Sequence, residues 1–182
     1  MAFIIHNSSQ IVRRPLVDKL VQLTGAKVFE AIMLKNRVDG CRQSHNSVYK
    51  LVEPHEPVIV FEDDCEVIDD SFMNLIKEHS SNYDIIFFGT VRTYIEHGKL
   101  QIWGTHAMWI SPHAKECFLN YTTTTTPEVD HIWNEVIVKH DLKVWVPQKH
   151  DMYVRQKLGL ISTITGTPRE DLSIKVKYFG FR

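Results

Sequence analysis

Three consecutive carboxylates, Glu62, Asp63 and Asp64, directly follow a run of four apolar residues at 58–61. This run has the length and composition of a strand buried on both faces, so the acids are expected where the strand leaves the sheet. Adjacent carboxylates repel one another unless a cation or hydrogen-bond donors lie among them. Clustered carboxylate oxygens suit Mg²⁺ and Mn²⁺. We therefore predict that the acids hold a divalent cation, which in turn binds a diphosphate; a solvated acidic turn is the simpler alternative.

Strand patterns alternate with helical patterns along the chain. The predicted strands are 3–5, 27–34, 58–61, 83–89, 104–111 and 142–146. The predicted helices begin at Pro15, Cys41, Asp69 or Asp70, Pro112 and about Val129, and residues 38–40 are expected to form a turn. Residues 91–101 predict a loop or an edge hairpin, and the threonines at 122–126 a linker or flexible loop. The alternation predicts an α/β fold with a mostly parallel central sheet flanked by helices.

Composition and charge exclude several classes of protein. The 182 residues include 21 basic and 22 acidic side chains, so the basic surface of a nucleic-acid-binding protein is not expected. The three cysteines contain no Cys-x-x-Cys pair, which argues against a zinc ribbon and a disulfide framework. No transmembrane segment or signal peptide is apparent. We predict one soluble domain with a cytoplasmic or other intracellular location.

The order and spacing of several segments resemble glycosyltransferase family 25, the lipooligosaccharide and procollagen galactosyltransferases. The matching segments are 4–7, 13–14, 38–45, 61–66, 83–89, 104–111, 127–130 and 156–162. Two segments depart from the family pattern. His6-Asn7-Ser8 stands where the family commonly has Asn-Leu-Asp, and Ser162-Thr163-Ile164 where it has Ser-Asp-Ile.

The resemblance implies a single GT-A (Rossmann-like) glycosyltransferase domain over residues 1–182. Its donor-binding half would be about 1–90 and its acceptor-side half about 91–182. It implies an inverting transfer of galactose or glucose from a UDP-sugar to a hydroxyl of a glycan or a protein-linked acceptor. The implied cofactor is Mn²⁺ (or Mg²⁺), and a role in the biosynthesis of glycans such as lipopolysaccharide would follow.

The resemblance also assigns roles to individual residues. Asp64 would bind the metal directly, Glu62 directly or through water, and Asp63 would accept hydrogen bonds from the ribose. His150 is a further candidate metal ligand. The other candidate donor-binding residues are Asn7, Arg13, Ser44, His45, Thr105 and His106.

These donor-binding candidates have simpler alternative roles. Arg13 could pair with phosphate, but loop arginines are commonly only solvated. Ser44 and His45 could reach the nucleotide from a helix, or His45 could be a buried, hydrogen-bonded histidine. Thr105 and His106 could contact sugar hydroxyls or be structural. Trp103, Trp109 and Trp133 could stack on a sugar ring, but Trp133 belongs to the apolar stripe of a predicted helix and fits the core.

Inversion requires a base that takes a proton from the acceptor hydroxyl. Asp130 is the main candidate because it matches the Pro-x-x-Asp pattern of the family and precedes an apolar helical stripe. Its alternative role is to cap that helix. Asp84 is the second candidate base. Rival functions are a nucleotide-sugar hydrolase or nucleotidyltransferase with the same metal site, and a catalytically silent nucleotide- or glycan-binding domain.

Overall fold

The computed structural model describes residues 1–96, 98–122, 127–148, 153–157 and 160. Its strands are β1 (Ala2–His6), β2 (Lys27–Glu30), β3 (Val58–Glu62), β4 (Cys65–Val67), β5 (Ile85–Phe87), β6 (Arg92–Glu96), β7 (Lys99–Trp103), β8 (Ala107–Ile110), β9 (Val144–Trp145) and β10 (Val154–Gln156). Its α-helices are α1 (Arg14–Thr24), α2 (Arg37–Lys50), α3 (Asn74–His79), α4 (Pro112–Leu119) and α5 (Val129–His140). Short 3₁₀ turns, Ile11–Arg13 and Asp70–Met73, precede α1 and α3. In these ranges no helix combines the length and apolarity needed to cross a bilayer.

The central sheet contains six of these strands in the order β2-β1-β3-β8-β5-β9. Strand β1 is parallel to β2 and β3, and β5 is parallel to β9. Strand β8 lies between β3 and β5 and is antiparallel to both. Five strands therefore run in one direction and β8 in the other, which confirms the predicted α/β fold with a mostly parallel sheet.

Strand β3 is buried because both faces of the sheet carry a hydrophobic layer. Val58 and Val60 pack on one side, in the cluster that includes buried residues of α2, α4 and α5. Phe61 packs on the other side with residues of α1 and α3. Its ring stacks 6.0 Å from Phe88 and meets Phe72 edge-on at 5.9 Å. Each such phenylalanine contributes about 2–3 kcal/mol through burial, which fixes the position of the acids that follow.

The prediction of a reverse turn at residues 38–40 is wrong, because these residues belong to the beginning of helix α2. The helix begins earlier than expected because the side chain of Asn36 accepts hydrogen bonds from the backbone N–H groups of Val38 and Asp39, at 3.1 and 3.4 Å. Gly40 has a packing role instead of a turn role. A Cβ atom at this position would lie 2.4 Å from the carbonyl oxygen of Ile32, so only glycine lets α2 approach this segment.

Other element boundaries also differ from the prediction. Strand β2 ends at Glu30, four residues earlier than expected. A loop and an edge hairpin were the two alternatives for residues 91–101, and the structure has the hairpin. Its strands β6 and β7 pair as a separate two-stranded antiparallel sheet. A second small sheet, in which β10 pairs with β4, was not predicted. Of the threonines at 122–126, only Thr122 is among the described residues.

Candidate active site

The carboxyl ends of β1 and β3 and the start of β8 meet at one edge of the sheet. Glu62 is the last residue of β3, and its backbone N–H donates to the carbonyl oxygen of His106 at 2.7 Å. Because β8 is antiparallel to β3, the residues that enter β8 lie at the same edge as the residues that leave β3. The sheet topology therefore brings Thr105 and His106 beside the three acids.

Asp63 is a structural anchor at this edge, with 5% of its surface exposed. Its Oδ2 atom lies 2.9 Å from Nδ1 of His6 and accepts from the backbone N–H of Asn7 at 3.2 Å. Its Oδ1 atom accepts from the guanidinium group of Arg13. Both carboxylate oxygens are thus engaged within the protein. This geometry favours a positioning role over the expected contact with ribose.

Arg13 is also engaged by the acids, and it is only 2% exposed. Besides its contact with Asp63, its Nη1 atom lies 3.9 Å from Oδ2 of Asp64. Asp64 is itself 2% exposed and lines the same pocket. The guanidinium group therefore offsets the repulsion that is expected between the neighbouring carboxylates.

The side chain of Asn7 shapes the loop that follows β1. Its Oδ1 atom accepts from the backbone N–H and the hydroxyl of Ser9, at 3.1 and 2.8 Å. This local turn leaves Asn7 on the wall of the pocket beside Arg13 and Asp63.

Helix α2 supplies the opposite wall of the pocket. The Ser44 hydroxyl donates to the carbonyl oxygen of Gly40 and accepts from the N–H of Ile32, both at 2.8 Å, so it joins α2 to the segment after β2. His45 is 0% exposed. Its Nδ1 atom lies 3.0 Å from the Tyr49 hydroxyl and its Nε2 atom 3.5 Å from Oε1 of Glu62. Ser44 and His45, the donor-binding candidates on this helix, both line the pocket, but the Ser44 hydroxyl already has two partners.

Asp130 does not cap α5, so that alternative is wrong. It lies in the first turn of the helix, and the residue at the cap position is Glu128. The Asp130 carboxylate accepts from the backbone N–H of Gly104 at 3.1 Å and from the backbone N–H and hydroxyl of Thr105 at 3.2 and 2.7 Å. Burial, reinforced by the negative charge of Glu62, raises the pKa of Asp130 despite these hydrogen bonds.

The His106 ring is completely buried rather than exposed to a ligand. Cβ atoms added at Gly89 and Gly104 would lie 3.2 and 3.0 Å from its ring nitrogens, so the ring occupies the space that these two glycines leave. Its carbonyl oxygen accepts from the Cys65 thiol at 2.8 Å as well as from the backbone of Glu62. His106 therefore supports the edge from within the core.

Asp84, the second candidate base, lies away from the acids. Asp84 precedes β5, at the end of the sheet opposite to Glu62, and its carboxylate accepts from the N–H of Lys143 at 2.9 Å. His150 lies outside the described residues. Trp109 and Trp133 belong to the hydrophobic core, and Trp103 is half-buried in β7, where its ring lies 5.3 Å from the guanidinium carbon of Arg92.

Comparison with solved structures identifies the architecture. The catalytic domain of Drosophila beta1,4galactosyltransferase 7, in a complex with xylobiose, superposes with a TM-score of 0.54 at 12% identity, over 92% of this chain and 68% of that chain. A mutant of the same enzyme in a complex with manganese, UDP-Gal and xylobiose gives 0.51 at 10% identity, over 86% and 69%. The chain has a GT-A fold.

A third solved structure is similar to the chain over most of its length. It is a glycosyltransferase involved in the glycosylation of the major capsid of PBCV-1, with a TM-score of 0.51 and 10% identity over 80% of each chain. No protein-family model matches the chain, and no curated protein sequence does. Its structural neighbours thus include GT-A glycosyltransferases, while the low identities limit the likeness to the fold.

Sequence reasoning missed two residues at the site of this GT-A fold. His6 contacts Asp63 directly, and its position at the end of a predicted strand was the available signal. Cys41 lines the pocket four residues before His45. This spacing places both side chains on one face of a helix. The spacing between cysteines, which is all that the sequence analysis considers, does not reveal it. Burial, followed by the charge of Glu62, raises the pKa of the Cys41 thiol.

Proposed function

We propose that the chain is a metal-dependent inverting glycosyltransferase of the family 25 type. It would transfer galactose or glucose from a UDP-sugar to a hydroxyl of a glycan or a protein-linked acceptor. The observation that carries this proposal is the placement of three carboxylates in one pocket at the carboxyl end of β3, with Asp130 bound to Gly104 and Thr105 just before β8 and influenced by the charge of Glu62. The Drosophila galactosyltransferase complex with manganese and UDP-Gal supports the same class of donor and metal.

The residues present fit a hard divalent cation. Glu62 and Asp64 line one pocket, and Asp63 between them is already bound to Arg13 and His6. Glu62 and Asp64, whose carboxylates both line the pocket, are the two ligands that would hold Mn²⁺ or Mg²⁺. When bound, the cation would neutralise the charge that develops on the departing diphosphate. The fixed position of Asp63 would keep the two ligands on either side of it in place.

Asp130 is the proposed base. The backbone of Gly104 and the hydroxyl of Thr105 orient its carboxylate, and burial raises its pKa toward the pH at which a general base works best. In this arrangement Asp130 would accept the proton of the acceptor hydroxyl during attack on the anomeric carbon. Thr105 would then act by positioning Asp130 rather than by binding the donor.

The thermal unfolding midpoint with UDP and a panel of UDP-sugars, with and without Mn²⁺, tests donor and metal binding. A ligand at a hundredfold excess over its Kd adds about 2.7 kcal/mol, which raises the midpoint of a chain of this size by about 5–10 °C. We expect such a rise with UDP-galactose or UDP-glucose when metal is present. Asp64→Asn should abolish it because the metal loses a charged ligand.

Asp18→Asn is the matched control, since Asp18 lies exposed on α1, where it pairs with Arg14 one helical turn earlier. The control should keep the full rise. The proposal is contradicted if no UDP compound changes the midpoint, or if Asp64→Asn keeps the metal-dependent rise. Product analysis then separates transfer from hydrolysis: transfer consumes donor only when an acceptor is present, whereas a hydrolase releases free hexose without one.

A further inference from the structure

Helix α2 and strand β3 place a thiol, an imidazole and a carboxylate together. Cys41 and His45 are four residues apart, so they project from the same face of α2. That face is turned toward Glu62 at the end of β3. One potential ligand atom from each of the three side chains lies within 4.8 Å of the other two.

The His45 imidazole points to a ligand at this position. It is fully buried, and among the described residues its Nε2 atom makes no hydrogen bond; the nearest ion-pair contact is Glu62 Oε1 at 3.5 Å. A buried polar atom without a hydrogen bond destabilises the fold, and a bound cation would remove this cost. On the other side of the ring, the Tyr49 hydroxyl is 3.0 Å from Nδ1 and can accept a hydrogen bond from the Nδ1–H group when Nε2 binds a metal.

The chemistry of these three side chains differs from that of the acidic run. A thiolate and an imidazole favour Zn²⁺ over Mg²⁺ or Mn²⁺. Ligand atoms around a tetrahedral Zn²⁺ are about 3.5 Å apart, given bonds of about 2.0–2.3 Å. Cys41 and Glu62 are half-buried, so small side-chain rotations can close the remaining gap.

We propose that Cys41, His45 and Glu62 form a binding site for a thiophilic divalent cation, Zn²⁺, with the fourth coordination position open to the pocket. Three protein ligands and one open position are typical of zinc sites that bind a further ligand. This site is distinct from the proposed Mn²⁺ site but shares Glu62 with it. Zn²⁺ binding can be measured without sugar transfer, so this proposal and the proposed function can be tested separately.

Metal titration of the full reduced chain, without nucleotide, tests this site. Calorimetry with Zn²⁺ should give one equivalent bound, and Co²⁺ as a spectroscopic substitute should give a thiolate-to-metal charge-transfer band in the near ultraviolet. Cys41→Ser should remove that band and weaken Zn²⁺ binding at least about tenfold, because a ligand is lost. Glu62→Gln should keep the band but weaken binding to a similar extent.

Cys117→Ser provides a matched control. Cys117 also lies four residues from a histidine on one helix, with its Sγ atom 3.9 Å from the His113 ring nitrogens. Within the described parts of the chain, this second pair belongs to no group of three potential ligands. Cys117→Ser should therefore bind Zn²⁺ and Co²⁺ as the wild type does.

Three results would overturn the proposal: no thiolate band in the wild type with Co²⁺, unchanged binding in Cys41→Ser, or loss of the band in Cys117→Ser. Circular dichroism of the metal-free variants establishes that they are folded. If Cys41→Ser does not fold, Glu62→Gln decides the question, and wild-type Zn²⁺ affinity in that variant excludes the site.

Discussion

At the scale of single residues, most polar side chains around the pocket bind other parts of the protein. Asp63 holds the loop after β1, Ser44 holds the segment after β2, and Thr105 holds Asp130. Such side chains rigidify their neighbours, and rigid neighbours are what a catalytic group requires. Several side chains that the sequence indicated as donor-binding therefore have structural contacts, and the proposed catalytic roles centre on Asp130 and Asp64.

Asp130→Asn should reduce the transfer rate by about 10²–10⁴-fold, because the amide cannot act as a base. In the wild type, the rate should rise with pH through the pKa of Asp130, and this acid limb should lie above the usual pH range of an aspartate because burial raises that pKa. Because the pKa of Asp130 is higher in the folded chain than in the unfolded chain, the free energy of unfolding should fall as the pH rises from the unfolded pKa to the folded pKa. Asp130→Asn should remove this fall. Activity and unfolding profiles against pH check both effects.

Thr105→Val gives the control for Asp130. The Thr105 hydroxyl stabilises the charged carboxylate and so lowers the pKa of Asp130. Its removal should move the acid limb to still higher pH while the rate at the plateau is largely kept. An unchanged acid limb in Thr105→Val, or full activity in Asp130→Asn, would exclude Asp130 as the base.

At the scale of secondary-structure elements, one buried lysine binds the loop between α2 and β3. Lys115 projects from α4 and is 2% exposed. Its ammonium group donates to the carbonyl oxygens of Val52, Glu53 and Glu56, at 3.2, 2.5 and 2.9 Å. All three donor positions of the ammonium are used, so α4 fixes the loop from which β3 enters the sheet.

Lys115→Met should lower the free energy of unfolding by about 2–3 kcal/mol, because three carbonyl groups lose a charged donor while the apolar stem is retained. Chemical denaturation measures this difference. Lys139→Met is the control, since Lys139 is exposed on α5 and its replacement should change stability by less than about 0.5 kcal/mol. A loss in Lys115→Met no larger than in the control would show that the loop is held by other contacts.

Local patterns predicted elements well where burial dominates. The apolar run before Glu62 and the apolar stripe of α5 both correspond to observed elements, because their periodicity reflects the faces that they bury. Gly40 shows the limit of this approach. A side chain at this position would clash with the carbonyl oxygen of Ile32, and no local sequence pattern reveals this tertiary contact.

The candidate site was predictable only in part for the same reason. The acidic run was evident from the sequence because its residues are adjacent. The partners of Asp63, however, are His6 and Arg13, which are more than 45 residues away in the chain. Only the sheet topology brings them together, so the engagement of Asp63 could not be foreseen.

At the scale of the whole molecule, β8 links the two proposed halves of the domain. It comes from the second half, yet it pairs with β3 on one side and β5 on the other. Residues 1–90 alone would contain β1, β2, β3 and β5 of the central sheet. In this fragment β3 would lack its partner β8, and β5 would lack both of its partners, β8 and β9. The donor-binding half should therefore not be an independent folding unit.

A fragment of residues 1–90 tests this expectation. It should lack a cooperative unfolding transition and should self-associate, because one edge of β3 and both edges of β5 are exposed. Circular dichroism during heating and light scattering measure both properties. The full chain serves as the control, and a monomeric fragment with a cooperative transition would show that the first half folds without β8.

The central place of β8 also affects how the protein emerges from the ribosome. β3 is synthesised well before β8, and at about 5–20 residues per second the delay between them is roughly 2–10 s. During this interval the nascent chain presents a hydrophobic strand edge that can pair with a neighbouring nascent chain on the same messenger RNA. We expect the yield of native protein to depend on a chaperone that covers this edge until β8 arrives.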